Sequence, residues 1–183
     1  MRIEIRWHGR GGQGAVTAAD LYAQAAIMQG YYAQAFPEFG AERRGAPVRA
    51  FTRIDTESFI HDRYPIEEPD IVVVLDPMLA RDPMIIQGLK KNGLYIANSK
   101  LSPSELAKII GRTDINIKII DATRIALEVL KRPIVNTAML GAVAKLVPIV
   151  KLEYIEKSIQ ARFEARLAQL NLEVIRRAFK EVK

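Results

Sequence analysis

The sequence predicts an α/β protein: a layered, largely parallel sheet flanked by helices, with a smaller antiparallel sheet. Three observations lead there. Strand-like and helix-like segments alternate along most of the chain, as parallel strands joined by crossover helices do. The run PDIVVVLDP is apolar without a break between Asp70 and Asp76, which is how a strand buried on both faces reads. PVRAFTRI follows another strand-like segment with no helix between them, and this interruption calls for an antiparallel element.

The elements can be justified in order. Arg2 to Trp7 alternate charged and apolar residues with the period of a strand. Gln13 to Gln29 reads as a helix whose alanines (Ala15, Ala18, Ala19, Ala23, Ala26) permit close packing, and Gly30 stops it. YYAQAF is a second strand. In PVRAFTRI the polar face carries Arg49 and Arg53, so that face is expected to meet solvent or a partner. After the buried strand, Asn92-Gly93 turns the chain into the strand LYIAN. Ser102, Pro103 and Glu105 then form a helix start with a capping box. INIKII and DATRIALEVL add another strand and helix, and NTAMLGAVAKLV follows Pro133 as a helix of small residues. The remainder is charged and helical, with Ile155, Ile159, Phe163, Leu167 and Leu170 at helix spacing; it is expected to cover the sheet, the alternative being a charged face presented to a partner subunit.

The chain has 183 residues, 49% of them hydrophobic and 26% charged. A domain of that size buries roughly 70% of its unfolded surface, so residues 1–183 are expected to form one domain ending in C-terminal helices. The net charge of +6 is compatible with an anionic ligand, but the cations are scattered and no aromatic ladder accompanies them, so nucleic acid is not expected. There is no cysteine, hence no disulfide framework, thiolate metal site or iron–sulfur ligand set on this chain. MRIEIRWHG lacks the apolar core of a signal peptide and no run is long enough to cross a membrane, so the cytoplasm is the expected location.

Chemistry concentrates in the stretch RWHGRGGQGAVTAAD. Gly9, Gly11 and Gly14 satisfy G-x-G-x-x-G between a strand and a helix, with Gly12 as a fourth glycine. Such a loop lets backbone N–H groups approach an anion at the positive end of a helix. One reading is a dinucleotide site, with Glu38 near the end of the second strand as the ribose-binding acid; a free-standing NAD(P)-dependent oxidoreductase would follow. Against it, Gln13 is bulky where helix–strand packing favours a small residue. A triphosphate loop is excluded, because no Gly-Lys-Ser/Thr follows. A tight turn without a ligand is the bland alternative.

A second motif is GAERRGAP, where Arg43 and Arg44 lie beside Glu42 between two glycines. Adjacent guanidinium groups suit phosphate, although Glu42 could equally pair with one of them in a solvated loop. Asp76, Asn98-Ser99 and Asp121 each follow a strand and could line the same crevice; Asp76 and Asp121 read better as caps. Asn136 and Thr137 read as a helix cap, His8 as a possible donor to a ligand, and His61 as incidental. No nucleophile–base–acid set and no metal-binding spacing stands out.

RWHGRGGQGAVTAA, AFPEFGAERRGAPVRAFTRI, EPDIVVVLDP and RPIVNTAMLGA together resemble the gamma subunit of 2-oxoacid:ferredoxin oxidoreductases, of the pyruvate synthase and 2-oxoisovalerate type, over nearly the whole chain. The resemblance implies the gamma-domain fold, in which a parallel sheet joins the smaller antiparallel one, and a multisubunit enzyme that converts a 2-oxoacid, coenzyme A and oxidised ferredoxin into acyl-CoA, carbon dioxide and reduced ferredoxin. It implies alpha, beta and delta subunits as partners, with thiamine diphosphate and iron–sulfur clusters held there. It assigns coenzyme A contacts on this chain to Gly11, Gly12, Gln13 and Gly14, phosphate contacts to Arg43 and Arg44, and further polar contacts to Asn98 and Asn136. The choice between pyruvate and a branched-chain acid stays open, since the substrate pocket would lie largely on other chains.

Overall fold

A central strand, β1 (Arg2–Arg10), organises the molecule. In this computed structural model, which describes residues 1–38 and 45–183, β1 pairs antiparallel with β3 (Pro47–Asp55) and parallel with β4 (Ile71–Val74). With β2 (Tyr32–Glu38), β5 (Leu94–Asn98) and β6 (Asn116–Ile120) they form one six-stranded sheet in the order β2-β3-β1-β4-β5-β6. The antiparallel part expected from the interrupted alternation is β3 and β2. It continues the parallel part edge to edge within the same sheet.

The alternation of β1 sorts its side chains. Ile5 and Trp7 enter a core beneath α1 (Ala15–Met28), whose Ala18, Ala19, Ala25 and Ala26 let the helix lie close to the sheet. Trp7 also donates from its indole to Thr52 Oγ1 (3.0 Å), and that hydroxyl donates to Ala19 O (3.0 Å). The same face is covered by α3 (Ala122–Leu130), α4 (Asn136–Leu146), α5 (Leu152–Arg162) and α6 (Ala165–Glu181). Ile155 and Ile159 enter the core as their spacing predicts, whereas Leu167 is exposed and α6 packs through Leu172, Val174, Ile175 and Ala178 instead. On the opposite face α2 (Pro103–Ile110) and two short 3₁₀ turns (Leu79–Arg81 and Pro83–Ile86) cover Val72, Val74, Tyr95 and Ala97.

Helix α2 starts as its sequence dictates: Ser102 and Glu105 cap each other's backbone reciprocally, and Gly111 closes the helix at φ 71°. One expectation holds only in part. Arg53 does not face solvent or a partner but is fully buried. Its Nε donates to Glu4 Oε1 (2.7 Å), an Nη donates to Tyr64 O (2.7 Å), and its guanidinium lies 5.3 and 5.0 Å from the Phe36 and Tyr64 ring centres. The chain after β3 folds back over Arg53, so this end of the polar face is internal, whereas Arg49 at the other end is exposed as expected. At the far edge, Lys183 and Ile119 exchange backbone hydrogen bonds of 3.1 Å, which occupies the outer side of β6.

Candidate functional site: the glycine loop at the strand ends

Because β1, β4, β5 and β6 run in parallel, their carboxyl ends share one rim of the sheet. There the glycine loop turns from β1 into α1. Gly12 (φ 93°) and Gly14 (φ 84°) adopt left-handed backbone that a side chain disfavours. Gly14 is the N-cap of α1, and no acidic residue occupies the first turn, so the positive end of that helix has no anion from its own sequence.

Gln13, expected at a ligand, has its side chain turned onto the protein. Its Oε1 accepts from Arg10 N (2.7 Å) and its Nε2 donates to Asp76 Oδ2 (2.8 Å). This strap fixes the loop across the ends of β1 and β4 and leaves the Gln13 backbone in the turn. Asp76 also caps the following turn, accepting from Met78 N (2.9 Å) and Leu79 N (3.0 Å). Burial works against its charge, but those two N–H groups, Gln13 and the Arg10 guanidinium hold the carboxyl below its ordinary range.

The two sequence motifs meet here. Gly11 N donates to Ala46 O (3.0 Å), and an Arg10 Nη donates to Gly45 O (3.2 Å). Gly45 and Ala46, the described end of the GAERRGAP motif, are thus fastened beside the glycine loop. Glu42, Arg43 and Arg44 themselves lie outside the described residues.

Asn136 also arrives at the loop. Its side chain rests on Gly14 so closely that a Cβ on Gly14 would lie 2.7 Å from Asn136 Nδ2. Asn136 Oδ1 accepts from Thr137 N (2.9 Å), which turns Nδ2 toward the loop. Neither residue caps α4 as the sequence suggests: Val135 is the N-cap, Asn136 opens the helix, and Thr137 donates to Asn171 Oδ1 (2.8 Å). Asn98 is buried and its amide is spent on the fold. It donates to Leu75 O and Thr123 Oγ1 (2.8 Å each) and accepts from Thr123 N (3.3 Å), tying β4, β5 and α3 together. Asp121 caps α3 through Arg124 N (3.0 Å), as expected.

His8 and Arg6 form a buried pair that the sequence left half-read. Arg6 Nε donates to His8 Nε2 (2.9 Å), so the imidazole is neutral with its proton on Nδ1. Burial, reinforced by Arg6 and Arg49, pushes the His8 pKa down to about 3. Arg6 has three further acceptors, the carbonyls of Glu67, Ile85 and Gln87. Burial and then Arg49 lower its own pKa to about 10. The available signal for Arg6 was a cation in mid-strand beside apolar neighbours.

Glu38 corrects the dinucleotide reading. β3 lies between β2 and β1, so Glu38 is displaced from the glycine loop by a whole strand, about 5 Å further out than a direct neighbour. Its carboxylate accepts from Arg49 Nη2 (2.6 Å). A fingerprint acid belongs on the strand next to β1. Among the described residues no group of three His, Asp or Glu side chains could hold a metal, and no helix is long and apolar enough to cross a membrane.

The sequence profile of the pyruvate ferredoxin/flavodoxin oxidoreductase family matches residues 4–181. The chain belongs to this family. It is 51% identical over 181 residues to the pyruvate/ketoisovalerate oxidoreductases common subunit gamma of Pyrococcus abyssi, covering 99% of this chain and 97% of that one. The crystal structure of pyruvate oxidoreductase subunit PORC from Thermotoga maritima superposes with a TM-score of 0.89 at 44% identity, covering 100% of this chain and 97% of that one. The fold recurs in 2-oxoglutarate:ferredoxin oxidoreductase from Magnetococcus marinus, determined with 2-oxoglutarate, coenzyme A and succinyl-CoA bound. There the TM-score is 0.80 at 18% identity, over 98% of this chain and 30% of that one. This family member is a gamma-type subunit of a keto-acid ferredoxin oxidoreductase, an enzyme subunit within a multisubunit complex.

Proposed function

We propose that this gamma subunit binds coenzyme A at the glycine loop and positions it for acyl transfer in a 2-oxoacid:ferredoxin oxidoreductase. The observation that carries the reading is the meeting of the two phosphate-suited motifs: Gly11 is hydrogen-bonded to Ala46 at the returning end of the arginine segment. The backbone N–H groups of Gly12 and Gly14 and the start of α1 receive the coenzyme A diphosphate, with Asn136 Nδ2 as an adjacent donor, while the N–H groups of Gly11 and Gln13 are taken up by Ala46 O and Arg10 O. Arg43 and Arg44 meet phosphate oxygens. Gln13 and Asn98 act one step back. Gln13 holds the loop to Asp76, and Asn98 holds the strand ends beneath it.

Thiamine diphosphate and iron–sulfur clusters belong to the alpha, beta and delta partners in this reading, and the electrons leave to ferredoxin. The absence of cysteine from this chain supports that division. The chain works as one domain over residues 1–183, in the cytoplasm, and contributes binding, orientation and exclusion of water.

The test is Arg43→Ala and Arg44→Ala in the assembled complex. Each lost charge-assisted contact is worth roughly 1.5–3 kcal/mol if desolvated, so the KM for coenzyme A should rise about 10- to 150-fold. The KM for the 2-oxoacid should stay where it is. Coenzyme A dependence unchanged in both variants refutes the assignment.

A further inference from the structure

Resting on the reading that the glycine loop holds the diphosphate, we propose that the groove on the other side of Asn136 takes the nucleoside 3′-phosphate end of coenzyme A. The groove has a volume of about 410 Å³ and lies between the end of α3 and the break between α5 and α6. Its walls are apolar: Leu130 and Ile134 on one side, Phe163, Leu167 and Leu170 on the other. Ile134 and Leu167 are 37% and 39% exposed, large apolar side chains left in water at its mouth.

Arg132 and Arg166 also line it. Among the described residues neither makes an ion pair, whereas Arg124 of α3 and Arg176 and Arg177 of α6 are all paired with carboxylates. Among the described residues Glu164 is the one carboxylate lining the groove, so the balance of charge there is positive. An apolar slot flanked by guanidinium groups suits a flat base carrying a phosphate: the base stacks on apolar or guanidinium surface and the phosphate takes planar donors.

Asn136 joins this groove to the glycine loop, because it lines the one and touches Gly14 of the other. In coenzyme A the 3′-phosphate and the 5′-diphosphate leave the same ribose. A ligand held by its diphosphate at the loop therefore presents base and 3′-phosphate to an adjoining pocket, and this groove adjoins through a single side chain. The pantetheine arm then runs the opposite way, out toward the partner subunits.

The experiment compares coenzyme A with 3′-dephospho-coenzyme A as acyl acceptor in the assembled oxidoreductase. Wild type should show a KM for the dephospho form about tenfold or more above that for coenzyme A. The double variant Arg132→Ala/Arg166→Ala should bring that ratio close to one, chiefly by raising the KM for coenzyme A. A wild-type ratio near one overturns the proposal, and so does a ratio that survives in the double variant. Loss of partner subunits from the purified double variant also overturns it, and assigns the groove to subunit contact. Gly12→Ala separates the two readings: its added Cβ meets no described atom within 4 Å, so the change acts at the loop itself, through the side chain and the left-handed backbone it strains at φ 93°. It should raise both KM values in parallel. If it moves neither, the glycine-loop reading falls and the groove assignment with it, whereas an unchanged ratio in the arginine variant removes the groove assignment alone.

Discussion

Gly14→Ala tests the junction on which the site depends. Gly14 has φ 84°, and an added Cβ would lie 2.7 Å from Asn136 Nδ2, 2.9 Å from Cγ and 3.0 Å from Cβ. Two costs follow. Left-handed backbone is worth about 1–2 kcal/mol against alanine, and forcing a methyl into a filled space adds roughly 1–3 kcal/mol. A loss of about 3 kcal/mol is expected, readable as a fall of about 1.5 M in the urea midpoint of the purified chain for a slope near 2 kcal/mol per molar. Asn136→Ala removes the obstructing amide but also the acceptor for Thr137 N (2.9 Å), at about 1 kcal/mol. The double variant should therefore lose only about 2–2.5 kcal/mol, against roughly 4 if the two changes were independent. That leaves a coupling near 1.5–2 kcal/mol. Additivity within about 0.5 kcal/mol, or a Gly14→Ala variant nearly as stable as wild type, would refute the contact.

Two further expectations can be read from stability measurements. Gly141→Ala puts a Cβ 2.4 Å from Ile175 O and 2.7 Å from Ala178 Cβ, so α4 and α6 must separate; about 3 kcal/mol, or roughly 6–12 °C in Tm, should be lost in a thermal melt. His8 has a folded pKa of about 3, well below the ordinary histidine value near 6.5, so on acidification the unfolded chain takes up a proton that the folded chain refuses. Its contribution is present above pH 6.5 and is lost as pH falls toward 3, at about 1.4 kcal/mol per pH unit. Between pH 6 and 5, above the carboxylate range, His8→Gln should flatten that slope in urea titrations. A slope unchanged by the substitution would contradict a buried neutral imidazole.

Local chemistry was legible in the sequence and long-range contact was not. The start of α2 could be read from Ser102, Pro103 and Glu105 because a capping box is complete within four residues. Asp121 as the cap of α3 followed for the same reason. The burial of Arg53 could not be read, because it depends on Tyr64 and Glu4, which arrive from other parts of the chain. Strand order was hidden likewise: YYAQAF is a strand in either arrangement, and only the insertion of β3 beside β1 decides that Glu38 lies a strand away from the loop. In the site, the four glycines announced a turn into a helix. The strap from Gln13 to Asp76 spans 63 positions and leaves no local signature. The same is true of the three carbonyls, more than 60 residues on, that hold Arg6.

The position of β1 has a consequence for how a ligand would be held. β1 has a strand on each side, α1 beneath it, and Arg6 clamped above it to the backbone of residues 67, 85 and 87. A strand so enclosed cannot exchange its amide protons by fraying from an edge; it opens only when the sheet does. The glycine loop hangs from that strand and is fastened to β4 by the Gln13–Asp76 hydrogen bond, so it inherits nearly the full stability of the domain. An anion bound there would meet a cradle already set, and little of its binding free energy would go into ordering this wall of the site.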